Sequence, residues 1–420
     1  MDHVNKKCRR VVVVTGVFPA LSETFIVNPI TRLIDLGCSI RIFPMSPKSD
    51  VAKVHDDIVK YQLLDCVTYP TTVPAGKWKK RCKAIGLFLR LLFTIRGRAV
   101  RILRANLGCE KGFCYTRLFF SFNLFKDHFD VVHCHFGPNA SMLVDLKKVG
   151  LDIPLITSFH GYDINSYPRQ AGKDCYKDLF DLGDLFTANT NFTKKKMVDL
   201  GCPEHKIHII HESLRCDKFF VPLERRPASG EVVTLLTVGR MVEKKGYAYS
   251  LQAAALMKSR GYAFRYWAVG DGLLMNHYKQ LAAELGITEV VSFLGAQTEA
   301  EILNLYRQAD IFILPSVEAA DGDCEGQGLV LQEAQMAGIP VVSTLHNGIP
   351  DGVQHEITGF LVPEKDPVQL ADRIEYLIQN PQIRLEMGRR GQEFVRSKFD
   401  VSSVTDALMH LFEKIAVRTD

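Results

Sequence analysis

Two glutamates eight residues apart, Glu325 and Glu333, flank the point at which "PSVEAADGDCEGQGLVLQEAQMAGIPVVST" turns from acidic and glycine-rich to apolar. "DIFILPS" reads as a strand, "LVLQEAQMA" as a helix closed by Gly338 with Pro340 just beyond, and "VVST" as the next strand. Glu325 is thus expected in the loop at a strand's C-terminal end, and Glu333 more than a turn inside the helix. The free N–H groups of that helix start carry about half a positive charge. Gly326 and Gly328 beside it let a ligand approach the backbone, so the place suits a diphosphate. Two carboxylates would repel phosphate unless they face sugar hydroxyls, from which a carboxylate accepts strong hydrogen bonds. Taken alone, the pair reads equally well as an acidic loop and a surface glutamate on a helix.

"VGRMVEKKGY" supplies the opposite charge: Arg240 leaves a strand end, and Lys245 stands just ahead of Gly246 near the next helix start. Two fixed cations there can neutralise a departing diphosphate, the main barrier in taking a glycosyl unit off a nucleotide sugar. "VGDG", with Gly270 and Gly272, and "FLG" mark further strand ends. Asp321-Gly322-Asp323 has the form of a manganese-binding Asp-x-Asp but lies in a second-domain loop and is read as coincidence. His133 and His135 of "HCH" share a strand face, yet no third ligand accompanies them, so no metal is expected.

The elements that must position these residues alternate strand and helix. "RRVVVVTG", "SIRIFPM", "DVVHCHFG", "PLITSFHG", "LFTANT" and "KIHIIHES" read as strands, with "TFIVNPITRLIDLG" as a helix between the first two. A polar stretch, "VPLERRPASGEVV", reads as a linker. Beyond it "VTLLTVGR", "AFRYWAVGDG", "VVSFLG", "DIFILPS", "IPVVST" and "GFLVP" repeat the pattern. The expected fold class is α/β, with two Rossmann-like doubly wound domains facing across a cleft at the strands' C-terminal ends. The division is placed at residues 1–222, 223–395 and 396–420, the last a helix returning to the first domain.

A length of 420 residues, 47% hydrophobic and 24% charged, is enough for two domains and excludes disordered and fibrous classes. No apolar run reaches the ~20 residues of a membrane-spanning helix. Four valines followed by Gly16, Pro19 and Glu23 are too short and broken for a signal segment and read as a buried strand. Eleven scattered cysteines suit a reducing cytoplasm. The net charge of +5 is too mild to imply nucleic acid. "KWKKRCKAIGLFLRLLFTIRGRAVRILR", Lys77 to Arg104, nevertheless carries ten Lys/Arg and no acid around an apolar middle. It fits a helix lying on an anionic membrane surface; the alternative is a core helix with a solvated basic edge.

Arg240, Lys245, "VGDG", "ADIFILPS", the glutamate pair, "EAQMAGIPVVST" and "GFLVP" together resemble a retaining glycosyltransferase of family 4, with the GT-B fold, over most of Val233 to Pro381. "GVFPALSETFI", "VVHCHFG" and "SFHGYD" further resemble its bacterial exopolysaccharide subgroup, of colanic-acid or amylovoran type. The resemblance implies that Arg240 and Lys245 bind the donor diphosphate, with the amides near Gly328 and Leu329. It places Glu333 on the ribose hydroxyls and Glu325 on the donor sugar, not as an enzymic nucleophile. Gly16 would let the first domain close over the donor, and His160 would contact the donor sugar or steady developing charge. The implied reaction moves a hexosyl unit, with retention and without a cofactor, from a UDP-sugar to a saccharide acceptor, lipid-linked at the inner membrane face. "GQG" stands where this family often has "G-[FI]-[GP]", which leaves donor choice open. Rival readings are a nucleotide-sugar epimerase of the same architecture and a non-catalytic nucleotide-sugar binder. A dinucleotide oxidoreductase is disfavoured, because no G-x-G-x-x-G follows either domain's first strand.

Overall fold

The computed structural model describes residues 10–20, 23–46, 54–70, 115–148, 154–223 and 232–416, together with Trp78, Cys82, Ile85, Gly86, Leu89, Arg90 and Phe93. Most of the basic segment 77–104 therefore lies outside the described residues. Among those described, no helix is long and apolar enough to cross a membrane.

Among the described residues twelve strands form two six-stranded sheets whose pairings are all parallel. The first holds β1 (Arg10–Thr15), β2 (Ser39–Pro44), β3 (Val131–His135), β4 (Leu155–Phe159), β5 (Leu185–Ala188) and β6 (Ile207–Ile209), in the order β2-β1-β3-β4-β5-β6. The second holds β7 (Val233–Val238), β8 (Phe264–Val269), β9 (Val291–Gly295), β10 (Ile311–Leu314), β11 (Val341–Thr344) and β12 (Gly359–Val362), in the order β12-β11-β10-β7-β8-β9. The α/β reading and the two-sheet architecture hold. Helices cover both faces of a parallel sheet, which is why strands such as "VVVV" and "IFIL" are apolar without alternation and are fully buried.

Each sheet reverses its strand order once, between β1 and β3 and between β7 and β10. Neighbouring loops part at such a point and leave a crevice at the strands' C-terminal ends. The loop after β7 carries Arg240 and Lys245, and the loop after β10 carries Glu325, so the candidate residues converge on the second sheet's crevice.

The last described residues form two helices, Pro381–Phe399 and Val401–Ala416. At their junction Leu214 N–H bonds the Phe399 carbonyl (2.8 Å) and Val401 N–H bonds the Leu214 carbonyl (2.9 Å). The last helix then buries Leu408, Met409, Phe412 and Ile415 against Val11, Val13 and Ile26 of the first half. The C-terminal residues thereby complete the core beneath the first sheet.

Candidate active site

Backbone geometry fixes where the second half's charges stand. Gly246 has φ +69° and starts the helix Tyr247–Ser259; a Cβ on it would lie 1.8 Å from the Pro315 carbonyl oxygen. Only glycine permits both the left-handed backbone and this approach, which brings Lys245 against the loop after β10. Lys245 Nζ donates to Glu325 Oε2, and neighbouring Lys244 grips Asp323 through both oxygens at 3.0 and 3.1 Å. Burial drives the Glu325 carboxyl upward, but Lys245 and Lys244 outweigh it and hold the group down at about 2. Arg240 stands exposed at the end of β7 with no ion-pair partner among the described residues.

Gly270 and Gly272 have a packing reason as well. A Cβ on Gly270 would lie 1.9 Å from the Gly239 carbonyl oxygen, and one on Gly272 2.6 Å from that of Met241. The "VGDG" loop thus rests directly on the "VGRM" loop, and Met241 N–H bonds the Asp271 carbonyl (2.9 Å).

The helix Leu329–Met336 begins on Gly328 at φ +74° and is closed by Gly338 at φ +75°. Glu325 therefore lies three residues before the cap and Glu333 on the helix's second turn, as expected from their spacing. Glu333 accepts from Tyr306 Oη (2.9 Å). Burial raises its carboxyl to about 7, against the Tyr306 bond, which pulls the other way. It lines a small cleft between the halves together with Asn28, Asp57, Lys218 and Glu299. There Lys218 bridges Asp57 of the first half (2.8 Å) and Glu299 of the second (3.1 Å).

The first half presents a different surface. Asp163 of "HGYD", wholly buried, accepts from the N–H groups of His160 (3.0 Å), Gly161 (3.0 Å) and Gly137 (3.1 Å), locking the turn after β4. The His160 ring lies against Phe25 and Phe136, with centroids 4.6 and 4.9 Å away. Its Nε2 meets His135 Nδ1 at 3.0 Å and its Nδ1 meets Glu212 Oε1 at 3.2 Å. His133 bonds Ser158 Oγ (2.7 Å). Burial pushes His133 down to about 3 and His135 well below the usual histidine range, so both rings are neutral. Gly16 follows β1, its carbonyl accepting from Ser46 N–H (3.0 Å), with Asn139 the nearest group to its open side.

His160 and Glu325 are brought to one junction. A Cβ on Gly326 would lie 2.3 Å from the His160 carbonyl oxygen, and Gly161 faces the Gly326 backbone. The close approach at Gly326 is thus to the opposite half of the molecule. The acidic loop ahead of Glu325 also acquires partners: Glu318 Oε1 accepts from Arg169 of the first half (2.7 Å), and Asp321 accepts from Asp323 N–H (2.9 Å). Among the described residues no group of three or more His, Cys, Asp or Glu is arranged to hold a metal ion.

Three participants escaped the sequence reading. Glu212 and Tyr306 touch candidate residues, and the third, His346, accepts the Glu325 N–H (3.2 Å) while bonding Glu364 (2.6 Å). Glu212 had one available signal, an acid at the end of β6 on the same sheet edge as His160.

Two family models divide the chain between them: "Glycosyltransferase Family 4" matches residues 22–217 and "Glycosyl transferases group 1" residues 224–394. The chain is 31% identical over 413 residues to the putative colanic acid biosynthesis glycosyltransferase WcaL of Escherichia coli, covering 95% of this chain and 98% of that one. It is 29% identical over 402 residues to the amylovoran biosynthesis glycosyltransferase AmsK of Erwinia amylovora, with the same coverage. In fold it is similar to Anabaena Alr3699/HepE, solved in complex with UDP and glucose, at a TM-score of 0.69 and 16% identity over 97% of this chain and all of that one. A glycosyltransferase from Rickettsia africae gives 0.70 at 19% identity over 97% of this chain and 99% of that one. The two six-stranded parallel sheets and their likeness to these structures define the GT-B fold. The chain belongs to the retaining glycosyltransferases of family 4.

Proposed function

We propose that the protein transfers a hexosyl unit from a UDP-sugar to a lipid-linked saccharide, with retention, during synthesis of a bacterial exopolysaccharide or related surface glycan. The exopolysaccharide context rests on the relatives from E. coli and E. amylovora, and the choice of UDP on the Anabaena complex. The observation that carries the reading is Lys245 held against Glu325 just ahead of the helix whose N-terminus Gly328 caps. A diphosphate arriving there exchanges with Glu325 for Lys245 and takes Arg240 and the amides of Gly328 and Leu329 as further partners. Glu325, released from its lysine, is free to accept from the donor sugar's hydroxyls, and Glu333 from the ribose.

In this scheme the C1–O bond to the diphosphate breaks as the acceptor hydroxyl bonds to C1 on the face just vacated. The hydroxyl's proton passes to the departing phosphate oxygen, so no side chain need act as nucleophile. Fixed charges that favour the departing diphosphate over the intact donor supply the rate. Residues 1–222 would serve the acceptor, residues 223–395 the donor, and residues 396–420 would tie the two.

The protein would work at the inner face of the cell membrane. Trp78 and Phe93, helical and 78% and 87% exposed, lie in the segment whose ten cations include no acid. Such a segment docks on anionic lipid with its apolar side chains below the head groups. Flotation with vesicles that lack anionic lipid should leave the protein unbound; equal binding to neutral vesicles would contradict the electrostatic part.

Transfer from a panel of nucleotide sugars to lipid-linked oligosaccharides tests the reaction. A labelled product with the donor's anomeric configuration is expected. Altered sugar nucleotide formed without acceptor would point to an epimerase instead.

A further inference from the structure

Glu212, just beyond β6, is an acid that the scheme above leaves without a task. Its Oε1 accepts from His160 Nδ1 (3.2 Å) and from Asn189 Nδ2 (3.0 Å), and Asn189 also bonds the His160 carbonyl (2.7 Å). Side-chain exposure is 12% for Glu212 and 11% for His160, so water competes little for this contact. The same residue is held from the opposite half. Glu212 N–H donates to Gln327 Oε1 (2.8 Å), and Gln327 Nε2 donates to the Glu212 carbonyl (2.9 Å). An amide that pairs with both peptide groups of one residue fixes its orientation much as a neighbouring strand would.

Gln327 is itself 1% exposed and stands between Gly326, which abuts the His160 carbonyl, and Gly328, which starts the candidate phosphate-binding helix. An ionised carboxylate only accepts, so it requires the hydrogen on His160 Nδ1 and leaves Nε2 to share one hydrogen with His135 Nδ1. The geometry points to Glu212 as the positioning residue for His160, with Gln327 seating Glu212 when the two halves are in contact. The ring at the candidate transfer site is then set in one tautomer and one plane by the contact that also brings up the diphosphate helix. This inference rests on the proposed role of His160.

Glu212→Ala keeps both backbone bonds to Gln327, so the contact between halves should survive it. Glu212→Gln keeps a carbonyl oxygen able to accept from both Nδ1 and Asn189. Steady-state transfer by the full-length enzyme would be measured beside 15N imidazole spectra of His160, assigned by its loss in His160→Ala. Glu212→Ala should lower kcat at least about tenfold, the scale of a small misplacement of a reacting group. Donor KM should stay within about threefold, and the ring should move from the Nδ1–H tautomer to a mixture. Glu212→Gln should retain the tautomer and most of kcat, and Gln327→Ala should lower kcat in the same direction as Glu212→Ala. Wild-type turnover and an unchanged His160 tautomer in Glu212→Ala, beside an inactive His160→Ala, would overturn this inference alone. A fully active His160→Ala would overturn the role of His160 as well.

Discussion

The two sides of the cleft are built on corresponding edges of two sheets, the C-terminal ends of their strands, and filled with different chemistry. The first half offers rings: His133 and His135, desolvated and neutral, and His160 between two phenylalanines. The second offers charge: two lysines on two carboxylates, a solvated arginine, and a helix start. A pre-formed lysine–carboxylate pair can exchange one anion for another at small cost, because the cation is never left bare, whereas the ring-lined wall, among the described residues, offers no lysine or arginine to exchange. The charged side is therefore suited to hold a leaving group, and the ring-lined side to shape the space in which the sugar reacts.

Removing the cation should have the largest effect. Lys245→Ala should lower turnover by roughly 10² to 10³, as for loss of one preorganised charge-stabilising group, in transfer assays run at saturating donor. Near-normal turnover would show that the second half's charge is not where the diphosphate goes.

Bringing the walls apart comes next. Gly326→Val places side-chain carbon where a Cβ already lies 2.3 Å from the His160 carbonyl oxygen. A shift of even 1 Å between reacting groups costs on the order of 10²-fold, so turnover should fall steeply while each half stays folded by circular dichroism. An unaffected Gly326→Val would mean the halves need not meet this closely.

Acidity distinguishes the two carboxylates of the charged side. Glu333, raised to about 7, accepts hydroxyl hydrogens more strongly once ionised, so donor KM should fall as pH rises from 6 to 8, and Glu333→Gln should flatten that dependence. The stability signs are opposite. A carboxyl raised on folding holds its extra proton between about 4.5 and 7, so the contribution of Glu333 is full below that window and is lost as pH rises through it. Glu325, lowered to about 2, contributes above about 4.5 and loses its contribution as pH falls towards 2. Urea midpoints of Glu333→Gln and Glu325→Gln against pH would show the two slopes; parallel slopes would contradict the assignment.

The smallest effect expected is on the brace behind Glu325. Glu364 accepts from His346 through one oxygen and from Glu318 N–H through the other (3.0 Å), pinning both ends of the acidic loop. Glu364→Ala removes two charge-assisted bonds and should weaken donor discrimination rather than turnover, by about 1.5–3 kcal/mol at most. Competition between two nucleotide sugars measures it.

Much of this was legible in the chain. Uninterrupted runs such as "VVVV" and "IFIL" admit few placements other than a strand buried on both faces. Gly338 with Pro340 closed the helix that carries Glu333, and the spacing of Glu325 and Glu333 followed from that helix alone. What could not be read was which residues meet across the cleft. Glu212 and Gln327 are 115 positions apart, and Arg169 and Glu318 are 149 apart; no local pattern encodes such pairs. Gln327 was visible only as a residue out of keeping with its family, and the reason lies on the opposite side of the cleft. Two acids of the run before Glu325 find cations that no local pattern announces: Asp323 meets Lys244, 79 positions away, and Glu318 meets Arg169.

The central claim, that the charged side binds the leaving group while the ring-lined side acts in transfer, is tested most directly by calorimetric titration of the nucleoside diphosphate into Lys245→Ala, Glu333→Ala and His160→Ala. The account predicts that affinity falls at least about tenfold in the first two, as for a lost charge-assisted contact, and stays within about twofold in the third. Weakening in His160→Ala equal to that in Lys245→Ala, or unchanged affinity in Lys245→Ala, would contradict it.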